Sequence, residues 1–372
     1  MDNNNNKKQA LNFEHPQEIN ANSCIQTIIF TKDRAAQLHL LFRGMDKYYP
    51  EWQVNQVTIL VAASTPEYRN GYMLLQRMRK NINFYWQQDG NADKESIQVS
   101  LKRIMRSSSC ELLHLQCDDF FFINRVTNEE IIGRFVKYRH KLQSIVFSSH
   151  QDIKVGIYNI RHDAPKSVYN EGIWELRKSP HEWGFHGEMA SAIWRRLDVL
   201  QIISSSKFST PNWFEQVLHY YSVAYRKQFV DVNPEKEFRI YNAIVNPNSG
   251  EKNPIVIHTD MNSAKANDGV DIDATGEGNT FRSLHYNENI STHVLNSNFI
   301  YNGLVPILNV DKCDLQYTFC DGSHAISFET LNPKENEIRL TLFRYHDTDD
   351  FDHEHETYRQ NVFRVEYKKN DV

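Results

Sequence analysis

No stretch of the 372-residue sequence is apolar for long enough to cross a membrane, which takes about eighteen residues. Cysteine is scarce: five residues and no CxxC pair, which excludes a zinc ribbon and gives no sign of a disulfide framework. Positive charge is not in excess either, with 42 Lys and Arg against 47 Asp and Glu, a net charge of −5 and a pI near 6.3. A general nucleic-acid partner wants a basic face, so none is expected. The opening, Met1-Asp2-Asn3-Asn4-Asn5-Asn6-Lys7-Lys8, lacks the apolar core of a secretory leader. No internal repeat of 20–50 residues is visible. What the chain does have is 40% hydrophobic and 12% aromatic residues, enough for a substantial core in one large or two unequal domains. A cytoplasmic globular protein without a membrane span is expected.

Residues 1 to about 22 are Asn-rich and without hydrophobic periodicity, and read as a disordered tail. Cys24–Phe30 is a short, β-branched apolar run, hence a buried strand; Thr31-Lys32-Asp33-Arg34 is its turn, and Leu38, Leu40, Leu41 and Met45 follow at helical spacing. Val57–Ala63, Phe84–Trp86 and Glu111–Cys117 are further strands, with helices predicted from Pro66 to about Arg79 and over Lys94–Arg106. Strands alternating with helices imply an α/β fold with a mostly parallel sheet and flanking helices. Further on, Lys154–Ile160 is strand-like, while Glu188–Arg195 and Trp213–Tyr225 look helical. Beyond about residue 311, Leu315–Phe319, Ala325–Glu329, Ile338–Tyr345 and Asn361–Tyr367 read as strands, with Asp321-Gly322 and Asn332-Pro333 as turn signals. The expected division is a tail (1–22), a main domain (23–311) and a small β-rich C-terminal element (312–372).

The strongest chemical signal is His114-Leu115-Gln116-Cys117-Asp118-Asp119. In an open α/β sheet, ligands bind outside the carboxyl ends of the strands. Adjacent carboxylates there can hold a hard divalent cation, which in turn neutralises a diphosphate. The plain alternative is a turn, since Asp commonly ends strands. Thr31–Arg34 follows the first strand and opens a helix, so its N–H groups and Arg34 are placed to face an anion; here the plain alternative is a helix cap by Thr31 or Asp33.

Ile28-Ile29-Phe30-Thr31-Lys32-Asp33-Arg34-Ala35-Ala36-Gln37-Leu38 resembles the opening of GT-A-fold nucleotide-sugar glycosyltransferases of the family 2 type. Val57–Ser64 with Tyr68 resembles their second strand and sugar-nucleotide loop, and Leu113–Phe122 falls where that fold carries an Asp-x-Asp metal motif. Glu182-Trp183-Gly184-Phe185, Thr210-Pro211-Asn212-Trp213-Phe214-Glu215 and Leu295-Asn296 through Tyr301-Asn302-Gly303-Leu304 match later segments in order, so the resemblance covers about residues 25–311. It implies a donor nucleotide bound by Thr31, Asp33, Arg34, Ser64, Tyr68 and Asp118, with Mg²⁺ or Mn²⁺ on Asp119 and Asp118. It also implies sugar transfer to an acceptor hydroxyl, with Glu188, and Glu182 second, as the deprotonating carboxylate if the reaction inverts. Two departures stand out: Cys117 replaces the first acid of the triplet, and Ala190-Ser191 stands where the family has Asp-Gly. These departures support an alternative, a GT-A-like sugar-nucleotide or glycan binding protein without catalysis. A nucleotidyltransferase would want a glycine loop after the first strand, and Thr31–Gln37 has no glycine.

Other motifs carry less. His181 and His186 are five apart, about 140° around a helix, and Gly184 lies between them, so a zinc-protease helix is excluded. Asp271-Ile272-Asp273-Ala274-Thr275-Gly276 copies half a calcium loop but has Arg282 at the twelfth position, where Glu is required. The acidic run Asp349–Glu356 reads as solvated surface, and Phe120–Phe122 and Trp213-Phe214 as core.

Overall fold

The computed structural model describes residues 18–87, 96–149, 163–179, 181–185, 187–225, 241–243, 256–259, 292–309, 319–320 and 326–344. The expected strands at 154–160 and 361–367, the calcium-like loop and the acidic run lie outside them. The chain divides into two compact units, Met1–Thr330 and Leu331–Val372.

The first unit begins with β1 (Ile25–Lys32), α1 (Ala35–Tyr48), β2 (Gln56–Ala62), α2 (Pro66–Met78), β3 (Asn83–Trp86), α3 (Ile97–Arg106), β4 (Leu112–Cys117) and β5 (Phe120–Phe122). Then come α4 (Asn128–Tyr138), β6 (Leu142–Val146), α5 (Lys166–Glu171), β7 (Ile173–Glu175), β8 (Ala192–Arg195), α6 (Arg196–Ser205), α7 (Pro211–Tyr225), β9 (Tyr241–Ala243) and β10 (Val256–Thr259). It closes with α8 (Thr292–Ser297), a π-helical turn at Asn298–Asn302, β11 (Leu304–Leu308), β12 (Phe319–Cys320) and β13 (Ile326–Thr330). The main sheet has eight strands in the order β3-β2-β1-β4-β8-β6-β9-β7. Its β3-β2-β1-β4 half is parallel throughout, and β8 runs antiparallel between β4 and β6. The expected α/β architecture is present, and β11 with β13 forms a small antiparallel sheet towards the C-terminal end.

The elements follow from ordinary local chemistry. β1 is buried along seven of its eight residues, as a central parallel strand must be. Thr65 accepts the Tyr68 N–H and Pro66 takes the first helical position, so α2 starts where a cap and a proline both call for it. Ser96 does the same for α3 through the Val99 N–H. One core cluster joins Ile28, Leu60, Leu101, Leu113, Trp194 and Phe214 across sheet and helices.

Three expectations are corrected. Glu188–Arg195 is not a helix: Ala192-Ile193-Trp194-Arg195 is strand β8, because β-branched and aromatic side chains fill a slot hydrogen-bonded on both sides, by β4 and β6. Ile338–Tyr345 is not a strand. In the second unit Pro333–Arg344 is a helix, α9, and Asn332-Pro333 is its cap and first position, with the Asn332 side chain accepting the Glu335 N–H at 3.0 Å. Finally, Cys24 and Cys110 form a disulfide with Cα atoms 4.8 Å apart, which the sparse cysteine count does not announce. It staples the amino ends of β1 and β4, where Ile25 pairs with Leu112.

Candidate functional site

The parallel register brings Thr31, Val61 and Trp86 into one row at the carboxyl edge, and Phe30 lies opposite Cys117. Asp118 therefore emerges beside Thr31. The turn that carries it is braced from within: the buried Gln116 side chain donates to the carbonyls of Cys117 (2.8 Å) and Phe120 (3.0 Å) and so holds both ends of Asp118-Asp119. Both carboxylates are buried, at 2% and 8% exposure.

Arg34 answers them. Its Nη1 donates to Asp118 Oδ1 at 3.0 Å and lies 3.4 Å from Asp119 Oδ2. Thr31 Oγ1 donates to Asp118 Oδ2 at 2.6 Å, so Asp118 is held on both oxygens. Burial lifts the Asp118 carboxyl to about 6 although Arg34 pulls it down, and the Asp119 charge adds to the rise. Burial works against the Arg34 charge, yet Asp118 and Asp119 keep the guanidinium protonated beyond its ordinary range. Two carboxylates against one guanidinium leave the strand ends with one negative charge in excess.

Asp33 takes positive φ (62°), a conformation that Asp tolerates better than most residues. Its two oxygens accept from the Ser64 N–H (2.6 Å) and the Ser64 hydroxyl (2.8 Å), tying the loop after β1 to the loop after β2. Tyr68 lies half-buried on the first turn of α2. Thr31, Asp33, Arg34, Ser64, Tyr68, Asp118 and Asp119 thus share one edge of the sheet. The sequence reading missed Tyr72, whose hydroxyl lies 2.6 Å from Thr31 Oγ1 and accepts the Arg34 N–H at 2.8 Å. In sequence it is one more apolar-face residue of a helix, with no signal to mark it.

The strand β8 determines where Glu188 stands. Because β8 is antiparallel and Ala192 faces Leu115, the segment Gly187–Ser191 enters at the same carboxyl edge as Asp118-Asp119. A Cβ on Gly187 would sit 2.4 Å from the Glu215 carbonyl and 2.7 Å from the His219 nitrogen, so only glycine lets this segment lie against α7. Glu188 accepts the Ala190 N–H at 3.0 Å, and its carbonyl accepts from Trp194 Nε1 at 2.8 Å. Burial, then the neighbouring Glu215 carboxylate, pushes the Glu188 carboxyl well above its usual range. Burial also raises the Cys117 thiol, with Asp119, Asp118 and Glu215 adding to it, so Cys117 is a neutral thiol. Glu215 is therefore within Coulombic reach of both Glu188 and Cys117. Glu182 sits in a short 3₁₀ turn, His181–Gly184, and its side chain lies outside the described part of the structure.

Among the described residues, no group of three or more His, Cys, Asp or Glu is arranged to hold a metal ion by itself. Mg²⁺ in phosphate sites commonly uses only one or two carboxylates and takes its remaining ligands from the substrate and water. Asp118 and Asp119 side by side at the strand end fit that pattern, and two carboxylates against one guanidinium favour a cation there.

No family model matches the sequence, and no curated protein matches it. Among solved structures, TarS of S. aureus in complex with UDP is 14% identical, over 60% of this chain and 61% of that one, with a TM-score of 0.34. A second TarS structure is 12% identical, over 53% of this chain and 33% of the other, also at 0.34. A CMP:2-keto-3-deoxy-manno-octonic acid synthetase complexed with CTP is 12% identical, over 60% and 89%, at 0.30. The chain spans a third to about three fifths of the length of these TarS chains. No helix among the described residues is long and apolar enough to cross a membrane.

Proposed function

We propose that this chain transfers a sugar from a nucleotide-diphosphate sugar to an acceptor hydroxyl. The observation that carries this reading is the Arg34–Asp118–Asp119 cluster at the carboxyl edge of a parallel sheet, with Glu188 on the same edge. The resemblance of residues 25–311 to GT-A glycosyltransferases points the same way. The nucleotide lies over the loop pair that Asp33 and Ser64 join, between Thr31 and Tyr68. Arg34 presents fixed positive charge to the diphosphate, charge that matters most as the leaving group departs. Asp119, with Asp118 behind it, would hold Mg²⁺ or Mn²⁺; such an ion, when bound, offsets the charge of the leaving diphosphate. Glu188 takes the proton of the acceptor hydroxyl, and its raised pKa makes it a stronger base than an exposed carboxylate. The described site offers no thiolate for covalent catalysis, since Cys117 stays protonated.

A donor panel tests the reading. UDP-, GDP- and CMP-sugars, each with and without Mn²⁺, are followed by thermal shift and by sugar release, on wild type and on Asp119→Asn. One donor should stabilise the wild type by about 2.7 kcal/mol at a hundred times its Kd. Asp119→Asn should lose the Mn²⁺-dependent part of that shift, with the unliganded melting temperature within a few degrees of wild type. Binding without any sugar release or transfer would favour a binding protein that kept the fold and lost the chemistry, the reading to which Cys117 and Ala190-Ser191 lend support. Activity indifferent to EDTA and to Asp119→Asn would make the transfer metal-independent. No response to any donor would end the reading.

A further inference from the structure

We propose that Tyr72 is a positioning residue for this site: its hydroxyl sets Arg34 directly and Asp118 through Thr31, and so aims the cation and carboxylates that a donor diphosphate meets. The inference rests on the nucleotide reading above and adds to it a residue on no strand end and in no recognised motif.

The protons can be assigned one by one. Thr31 has a single hydroxyl proton, and Asp118 Oδ2 accepts it at 2.6 Å. The 2.6 Å contact between Thr31 and Tyr72 must then use the phenol proton, with Thr31 Oγ1 as acceptor. Tyr72 Oη in turn accepts the Arg34 N–H at 2.8 Å. The result is one directed chain, from the Arg34 amide to Tyr72 to Thr31 to Asp118, which the Arg34 guanidinium closes onto Asp118 at 3.0 Å. Hydrogen bonds that end on an ion strengthen one another along such a chain. Its middle is buried, with Tyr72, Thr31 and Asp118 at 0%, 6% and 2% exposure, and the Arg34 side chain that closes it is 19% exposed.

Packing holds the phenol where the chain needs it. The Trp86 ring meets Tyr72 at 6.0 Å and 87°, and the Arg69 guanidinium covers Trp86 at 4.7 Å. Gly71, the residue before Tyr72, lets α2 approach the start of α1. A Cβ there would stand 2.6 Å from Asn296 Oδ1 and 2.8 Å from the Ala35 Cβ. A buried tyrosine whose only task was to satisfy its own hydroxyl would need one partner; this one links α2, the start of α1 and β1, and reaches the acidic turn through Thr31.

The test measures binding of UDP, GDP and CMP, each with Mn²⁺, by calorimetry well below the melting temperature, on wild type, Tyr72→Phe, Thr31→Val, Thr31→Ser and the Tyr72→Phe/Thr31→Val double variant. The nucleotide that binds wild type should bind Tyr72→Phe and Thr31→Val at least tenfold more weakly. Because both cut one chain, the double variant should be no weaker than the poorer single. Thr31→Ser keeps the hydroxyl and should restore affinity. A tyrosine that merely supports the fold would lower the melting temperature and leave these affinities and their coupling unchanged. Binding by Tyr72→Phe within threefold of wild type, or fully additive losses, overturns the proposal and leaves the nucleotide reading standing. Wild type that binds none of the three overturns both. Should Tyr72→Phe not fold, the contrast between Thr31→Val and Thr31→Ser decides, and equal affinities overturn the relay.

Discussion

Adjacent residues in one buried stretch can have opposite fates, and the run from His114 to Asp119 shows it. Asp118 and Asp119 meet polar partners: Arg34 reaches both, and Thr31 donates to Asp118. His114 meets rings instead. Its ring lies among Tyr49, Phe122 and Phe147, and burial holds its pKa down at about 3; His39, buried in α1, is lowered to about 3 as well, with Arg79 and Arg43 assisting. Both folded values lie below the unfolded value of about 6.5, so the neutral native rings refuse a proton that the unfolded chain accepts. Stability should be unaffected by these groups above pH 6.5 and fall between about 6.5 and 3, by up to about 1.4 kcal/mol per pH unit for each histidine. His114→Phe should reduce the slope of urea-unfolding free energy against pH by about that amount between pH 5.5 and 4; an unchanged slope would mean that His114 is protonated in the native state. At this scale the sequence was readable where charge meets a strand end, as with Asp118-Asp119 and Arg34. It was silent where a partner comes from a distant helix, as with Tyr72, because a phenol on an apolar helix face reads as core.

Elements decide where Glu188 stands. The β8 strand was misread as helix because its four residues are too few for a period and its slot is supplied by β4 and β6, both far off in sequence. The same local ambiguity made a strand of Ile338–Tyr345, whose β-branched look gave way to the Asn332 cap and Pro333. In β8 the difference moves a carboxylate. A helix at 188–195 would have left Glu188 as a first-turn acid, whereas an antiparallel strand beside β4 delivers it to the edge where Asp118 stands. Gly187 and α7 then set Glu188 near Glu215. A base works deprotonated, so a raised pKa moves the rising limb of the rate profile to higher pH. Glu215→Gln removes the like charge and should shift that limb of kcat/KM towards lower pH. Glu188→Gln should lower turnover by about 10² to 10⁴ with donor affinity largely kept. A loss under tenfold would take Glu188 out of the chemistry and turn attention to Glu182.

For the whole molecule, the alternation of strand and helix over the first 120 residues was legible, since each buried parallel strand announces itself locally. The covalent link was not, because cysteines 86 residues apart in sequence reveal nothing until the register of β1 and β4 brings them together. Such bonds persist mainly in oxidising compartments. Reduction, or Cys24→Ala with Cys110→Ala, should cost about 2–5 kcal/mol in unfolding free energy; equal stability with and without reductant would argue that the thiols are not joined. The link has a topological side as well. Residues 24 to 110 form a closed covalent ring that includes β1, α1, β2, α2, β3 and α3, and with them Thr31, Asp33, Arg34, Ser64 and Tyr72. A single protease cut anywhere in that ring opens it without releasing a fragment. On a denaturing gel the nicked chain would run as one piece until a reductant is added, and only then separate into two.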